Sequence, residues 1–300
     1  MVSDLDPTPE RRSTQAEQQS TEEEGDTENK PSELQVASAE GNLDRVLELL
    51  SQGADPNEPP VGYYGRTALQ AACASGHLPT AEALLSAGAR VDAPGGNNGG
   101  RTALARAAQA GHAEIVDLLL RKGAEVNRPP ARYVGRTPLQ AAAEGGHVGI
   151  VRRLLDEGAD IHAPPAHYSG RTALQAAVEA QNVEVVELLL AEGACVNTPL
   201  TRYKGVTALQ AAALVGNSQL VERLLAAGAE VNAEGSYYNG HTALYAAAEG
   251  GHLKVVELLL AAGANVHMTS GNKHLTPLHA ANFRGHMEVA RLLEEVGRKT

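Results

Sequence analysis

The sequence predicts an all-α solenoid, in which a short helix–turn–helix unit is stacked many times along one axis. A segment at residues 135–147, Gly-Arg-Thr-Pro-Leu-Gln-Ala-Ala-Ala-Glu-Gly-Gly-His, returns along the chain in closely similar form. Successive clear copies are separated by 35 residues five times and by 34 residues once. The chain has no Trp and one Phe, so its helices are expected to pack closely through small residues. A fixed period of this size indicates a repeat array, which grows by adding units.

The first helix of the unit is predicted from its capping residues and its apolar spacing. In the copy at Thr137, the threonine hydroxyl can cap the helix, and Pro138 takes the first helical position, where a missing N–H is harmless. Leu139 and the alanines after it have helical spacing. Gly146 suits the left-handed conformation that ends a helix. The threonine recurs as Thr67, Thr102, Thr137, Thr172, Thr207, Thr242 and Thr276.

A second helix and a projecting connector complete the unit. Four aliphatic residues between 150 and 155 have helical spacing, and Gly158 ends that helix. Residues 159–170 then carry the chain to the next threonine. Because this stretch is too rich in Pro and Gly for a helix, we expect a projecting β-hairpin or extended finger.

A degenerate copy precedes the first clear one, and an acidic tail precedes both. Ser32, followed by Glu-Leu-Gln-Val-Ala, lies one period before Thr67. Residues 1–30 are predicted to be disordered, because almost nothing in them could be buried to offset the entropy lost on ordering. Residues 31–300 are expected to form one domain of eight repeats, which start near residues 32, 67, 102, 137, 172, 207, 242 and 276.

The unit resembles the ankyrin repeat, which has two antiparallel helices, a finger and a Thr-Pro-Leu-His-x-Ala signature. Residues 276–281, Thr-Pro-Leu-His-Ala-Ala, match that signature most closely. Gly-His pairs follow the first helices, and Gly-Ala…Val-Asn runs follow the second. The resemblance covers residues 32 to about 297. It implies a non-catalytic scaffold that binds another protein on a concave face formed by the fingers and first helices.

Two departures from the ankyrin pattern concern the finger and the signature histidine. The period is mostly 35 instead of 33, and the two extra residues fall in the finger. The recurring Pro-Pro-x-x-Tyr-x-Gly-Arg-Thr pattern resembles ankyrin arrays of filamentous fungi, including those attached to nucleotide-binding immune-type receptors. No Gly-x-x-x-x-Gly-Lys-Ser/Thr phosphate loop accompanies it. Glutamine replaces the histidine and is expected to keep bridging adjacent repeats, at Gln70, Gln140, Gln175 and Gln210.

Charge, hydropathy and cysteine content restrict the compartment and the partners. A net charge of −11 argues against a general nucleic-acid or anionic-membrane binder. No apolar run approaches the roughly 18 residues of a membrane span, and residues 1–6 show no signal-peptide core. Cys73 and Cys195 lie more than three repeats apart and suit neither a disulfide framework nor a zinc site. We therefore expect a monomeric cytoplasmic protein, with the nucleus as the alternative compartment.

No side-chain pattern in the sequence indicates catalysis, a cofactor or a metal. The sequence has no His-Glu-x-x-His, Cys-x-x-Cys or Gly-x-Ser-x-Gly motif. Five histidines share one repeat position, so they are strung along the array and cannot converge on one ion. We interpret them as cap and turn residues. They are His77, His112, His147, His252 and His286.

The fingers carry the strongest binding signal. A tyrosine recurs four positions before the threonine and an arginine one position before it, and both residue types are enriched in binding hot spots. In a purely structural alternative, each tyrosine packs on a neighbouring Pro-Pro and each arginine pairs with an acid such as Glu144 or Glu179. The residues predicted to contact a partner are Tyr63, Arg66, Tyr133, Arg136, Gln140, Tyr168, Arg171, Gln175, Tyr203, Lys204 and Tyr238.

Basic residues cluster on the central fingers, whereas the second helices carry many of the acids. This distribution favours an acidic partner segment and makes residues 17–28 of the tail a candidate intramolecular ligand. The cluster consists of Arg128, Arg132, Arg136, His167, Arg171, Arg202 and Lys204.

Two repeats depart from the pattern. The third has a finger of Gly and Asn at residues 95–100, which is expected to be the most mobile, and Arg106 replaces a helix alanine. In the last repeat, Phe283 suggests a contact or a capping role.

Three other interpretations of the array stay open. The basic fingers could bind nucleic acid, or the array could be the ligand-recognition module of a fungal immune-type receptor system. In the third interpretation the protein is the substrate of a modifying enzyme, because Asn127, Asn197 and Asn232 correspond to asparagines that are hydroxylated in other ankyrin proteins.

Overall fold

The repeated unit forms two short, antiparallel helices in every copy. A computed structural model of the chain describes residues 30–61, 65–96, 100–130, 135–166, 170–198, 205–236, 240–270 and 275–299. Sixteen α-helices lie in these described residues. They are α1 Glu33–Glu40, α2 Leu43–Ser51, α3 Ala68–Ser75, α4 Leu78–Ser86, α5 Ala103–Ala110, α6 Ala113–Arg121, α7 Pro138–Gly145, α8 Val148–Asp156, α9 Ala173–Glu179, α10 Val183–Ala191, α11 Ala208–Val215, α12 Ser218–Ala226, α13 Ala243–Gly250, α14 Leu253–Ala261, α15 Pro277–Arg284 and α16 Met287–Gly297.

The helices stack in two layers. Each odd-numbered helix packs against the even-numbered helix that follows it and against the next odd-numbered helix. The even-numbered helices also pack in series. The predicted solenoid of helix–turn–helix pairs is therefore confirmed, and its stability comes from interfaces between neighbours.

One leucine per helix forms the spine of the core, at the 35-residue period. In the first helices α3, α5, α7, α9, α11 and α13, the leucine two positions after the capping threonine is at most 2% exposed. Alanines such as Ala142 beside it are completely buried and let the helices approach closely. The spine of the first helices is Leu69, Leu104, Leu139, Leu174, Leu209 and Leu244. That of the second helices is Leu84, Leu119, Leu154, Leu189, Leu224 and Leu259.

The predicted caps of the first helix are present. Thr137 accepts a hydrogen bond from the backbone N–H of Gln140, and the Gln140 side chain accepts one from the backbone N–H of Thr137. This reciprocal arrangement satisfies two N–H groups that a helix leaves free at its start. Pro138 is the first helical residue, and Gly146 ends the helix in the left-handed conformation.

The fingers are less regular than the predicted β-hairpins. The described residues contain no β-strand, and their only β-bridge joins Ser270 and Leu275 in antiparallel orientation. Elsewhere a finger closes at its base through a turn, for example where the Gly170 N–H donates to the Ala166 carbonyl at 3.0 Å. In the fingers with Pro-Pro, the missing N–H groups disfavour a strand ladder.

Parts of two predictions lie outside the described residues, namely the finger tips and residues 1–29 of the acidic tail. The longest described helix, α16, has eleven residues. No helix in the described segments is long and apolar enough to cross a membrane.

Candidate functional site

Equivalent positions of each repeat form a continuous surface, which we call the first-helix face. It consists of the residue directly before each capping threonine and the residue seven positions after that threonine. In chain order the pairs are Arg66 and Ala74, Arg101 and Gln109, Arg136 and Glu144, Arg171 and Glu179, Val206 and Leu214, His241 and Glu249, and Leu275 and Phe283. The frame beneath is constant, whereas the chemistry of these pairs changes along the array.

The centre of the first-helix face is a row of ion pairs. Glu144 accepts from Arg101 at 2.9 Å and lies 3.7 Å from Arg136. One repeat further on, the Arg171 Nε donates to Glu179 at 2.5 Å. The arginine pairing that the sequence offered as a structural alternative is therefore present.

Arg136 is the most enclosed of these arginines. Its side chain is 10% exposed, and its Nε has no hydrogen-bond partner among the described residues. Burial lowers the pKa of Arg136, with Arg101 and Arg171 acting in the same direction and Glu144 opposing them. Arg136 is thus largely enclosed and shares Glu144 with Arg101, whereas Arg171 is paired with Glu179.

The N-terminal end of the face has fewer counter-charges. Arg66 is exposed and has no ion pair within the described part of the chain. The residues that correspond to Glu144 in the preceding repeats are Ala74 and Gln109, which carry no charge. The surplus of positive charge in the described residues therefore lies nearer the N terminus than the sequence suggested.

The predicted central basic cluster is only partly described. Of its seven residues, Arg128 lies 3.4 Å from Glu125, and Arg136 and Arg171 are paired with carboxylates. The other four residues fall outside the described part of the chain. The described members of this cluster are thus all compensated by acids.

The C-terminal half of the face carries two exposed apolar side chains. Leu214 is 55% exposed and Phe283 is 86% exposed. Between them, the His241 ring stacks on Tyr245 with centroids 4.5 Å apart. Burial lowers the pKa of His241. The Arg284 guanidinium lies 6.0 Å from the Phe283 ring centroid and pairs with Glu249 at 2.7 Å.

The glutamines predicted to contact a partner lie beneath this surface. Gln140 is 1% exposed and Gln175 is 6% exposed. The Gln140 amide donates to the carbonyl oxygens of Ala163 and Pro164 at 3.1 and 3.2 Å, in the finger that leads to the next repeat. Gln70 and Gln210 make the same kind of bond to the finger that leads to the next repeat, whereas the bridge expected at Gln175 stays a prediction. Because Gln140 and Gln175 are buried, both are left out of the proposed contact surface.

The remaining predicted contact residues are those that the sequence assigns to the fingers. They lie outside the described residues and stay a prediction. They are Tyr63, Tyr133, Tyr168, Tyr203, Lys204 and Tyr238.

The histidines of the Gly-His pairs bridge repeats. His147 Nε2, for example, lies 3.0 Å from the Gln109 carbonyl oxygen of the preceding repeat. His77, His112, His252 and His286 make the same contact at 3.0–3.3 Å. In the residues that the structure describes, no group of His, Cys, Asp or Glu could hold a metal ion.

The asparagines that follow the second helices also bridge repeats. The Asn127 amide donates to the Gly158 carbonyl at 2.8 Å, and its oxygen accepts from the Asp160 N–H at 2.7 Å. Asn197 and Asn232 are bonded in the same manner to the repeats that follow them. Hydroxylation of these side chains stays a hypothesis.

Two surface features were not singled out from the sequence. Leu214 stands where Glu144, Glu179 and Glu249 stand in other repeats, and this change from acid to leucine was the available signal. A groove of about 440 Å³ in the first two repeats is lined by residues that include Val36, Val61, Ala71 and Arg66. Its apolar walls come from different repeats, so only stacking brings them together.

A constant buried frame that carries a variable surface defines the class of solenoid repeat proteins. The family model described as ankyrin repeats (3 copies) matches residues 34–130, 129–199 and 209–299. The chain belongs to the ankyrin-repeat family, whose repeats are general protein–protein interaction modules. No curated protein gave a significant match.

Proposed function

We propose that the protein is a non-catalytic scaffold that binds a partner protein on its first-helix face and the adjoining fingers. The observation that carries this proposal is the change of chemistry along that face. Surplus arginine near the N terminus gives way to compensated ion pairs and then to exposed Leu214 and Phe283. A structural surface alone would not require this gradient, because the core beneath it repeats without change.

The gradient favours an extended partner segment with an acidic and an apolar part. Exposed apolar side chains next to charged ones are typical of interaction surfaces, and complementary charge fixes the register of a bound segment. Arg136 and Arg171 would contribute through exchange of their present carboxylate partners. The tyrosines predicted on the finger tips would add contact area at their side.

An affinity capture with matched variants tests this function. The wild type is compared with Y133A/Y168A/Y203A and with a second variant, L214E/F283E, that changes only the described apolar positions. Proteins retained by the wild type and lost with both variants are ligands of this face. If the variants remain folded by circular dichroism and retain the same proteins as the wild type, the proposed face is wrong.

A control variant keeps the test specific. Arg153 lies on α8 and pairs with Asp117 at 2.9 Å and Glu157 at 2.8 Å, on the layer of second helices. R153A should therefore retain the same proteins as the wild type.

A further inference from the structure

The third repeat differs from its neighbours at three coordinated positions. Ala105 stands where Gln70 and Gln140 form the bridge to the next finger. Arg106 follows it, at a position that is alanine in the other clear repeats. In the preceding finger, Gly95 replaces the second proline of the Pro-Pro pair that the neighbouring fingers carry. A Cβ on Gly95 would lie 2.6 Å from the Gly100 Cα, so the two sides of this finger approach closely.

The substituted alanine position is a buried one. Its equivalents Ala71, Ala141, Ala176, Ala211 and Ala246 are at most 4% exposed. Arg106 is half-buried there, and its Nε is shielded from solvent with no hydrogen-bond partner among the described residues. Burial, with the nearby charges of Arg66 and Arg101 acting in the same direction, lowers the pKa of Arg106 to about 10. A charge in this position works against folding unless something outside the described residues compensates it.

The surrounding counter-charge is small. Among the described carboxylates, Glu144 is the one that pairs with the arginines near Arg106. It contacts both Arg101 and Arg136, so two arginines share its single negative charge. Arg66 and Arg106 have no ion pair in the segments that the structure describes. Three like charges therefore lie close together at one end of the first-helix face with a single shared acid.

An apolar groove adjoins the arginines. Arg66 lines the groove together with Val36, Val61 and Ala71, and Val36 is 41% exposed. Glu40 also lines the groove, toward the first repeat. The arginine cluster and the groove thus form one surface with a cationic part and an apolar part.

We propose that Arg66, Arg101 and Arg106 bind a phosphorylated side chain of a partner protein, with a neighbouring apolar residue of that partner seated in the groove. This inference rests on the proposed scaffold function. A phosphoryl group carries a charge of about −2 and three strong acceptor oxygens, which suit several guanidinium groups at once. A single carboxylate has one charge and two oxygens, and it would leave most of the positive charge uncompensated.

Arg106→Ala is a matched variant, because it restores the residue that the other repeats carry. Removal of a half-buried charge should leave the fold intact and raise the denaturant midpoint. Arg66→Ala is a second variant at an exposed position without ion pairs among the described residues. Arg153→Ala, on the layer of second helices, is the control.

The experiment measures binding of peptide libraries with one fixed phosphoserine and random flanking residues. Matched libraries carry serine or glutamate at the fixed position. The wild type should retain the phosphoserine library and should release it when inorganic phosphate is added. The retained peptides should be enriched in apolar residues beside the phosphoserine. Arg106→Ala and Arg66→Ala should each weaken retention at least tenfold, whereas Arg153→Ala should not change it.

Two outcomes would overturn the inference. One is equal retention of the phosphoserine and glutamate libraries by the wild type. The other is unchanged phosphopeptide binding by a folded Arg106→Ala variant. Neither outcome would contradict the scaffold function if proteins are still captured through Leu214 and Phe283, so the two proposals fail separately.

Discussion

Single polar side chains carry much of the contact between repeats. Gln140 donates to a carbonyl in the finger that leads to the next repeat, and Asn127 donates to a carbonyl of the following repeat. His147 contacts a carbonyl of the preceding repeat. A typical hydrogen bond contributes about 0.5–1.5 kcal/mol, so the same contact repeated along the array adds up. These side chains are polar, but they bond to other parts of the same chain.

The two cysteines should differ in reactivity by burial alone. Cys73 is completely buried, and burial raises its thiol pKa to about 12, whereas Cys195 is exposed. Since the thiolate is the reactive form, we expect iodoacetamide at pH 8 to modify Cys195 in the native protein and to spare Cys73. Peptide mass spectrometry after quenching measures the two sites separately. In urea both sites should react, and rapid native modification of Cys73 would contradict the buried position.

At the scale of the helix pair, the residue that joins the first helix to the second has a left-handed backbone conformation and also lies against the next repeat. Gly111 has φ +85°, and a Cβ there would lie 2.5 Å from His147 Cε1. In the fifth repeat Gln181 takes the same place with φ +56°, so this repeat accepts a strained residue where the others have glycine. The turn thus has two requirements, one of conformation and one of space.

A matched pair of glycine substitutions separates these requirements. Gly123 has φ +82°, and no atom lies within 4 Å of the point that a Cβ would occupy, so Gly123→Ala should cost only the conformational strain, about 1–2 kcal/mol. Gly111→Ala has the same strain and must also displace His147 from its contact with Gln109. We expect its loss of unfolding free energy to exceed that of Gly123→Ala by at least about 1 kcal/mol. Urea denaturation followed by circular dichroism measures both, and equal losses would contradict the crowding at Gly111.

At the scale of the whole molecule, neighbours share a core while the surface changes from end to end. Each helix pair packs against its neighbours in the stack. The interfaces between neighbouring repeats, and no single central core, therefore hold each repeat in its place. The first-helix face thereby spreads its arginines, ion pairs and apolar side chains over successive repeats. A partner that reads this face must be extended or must present several separated contacts.

The acidic tail is expected to compete with an acidic partner for the arginines. Deletion of residues 1–30 should tighten binding of an acidic peptide, because six acids at residues 17–28 would no longer occupy the basic surface. Isothermal titration at low and physiological salt measures the change. The variant E22Q/E23Q/E24Q/D26N keeps the tail length and should reproduce most of the gain. Unchanged affinity in both variants would exclude autoinhibition by the tail.

The sequence by itself determined the frame of this protein. Thr137, Leu139 and Gly146 recur at a fixed period and act within a few residues of themselves, so caps, helices and core leucines follow from local pattern. The tertiary structure decided which residues of the surface are free. Arg101 meets Glu144 of the next repeat, Gln140 turns inward to a neighbouring finger, and Leu214 remains exposed. These outcomes depend on the offset between stacked repeats, a distance that no spacing along the chain specifies.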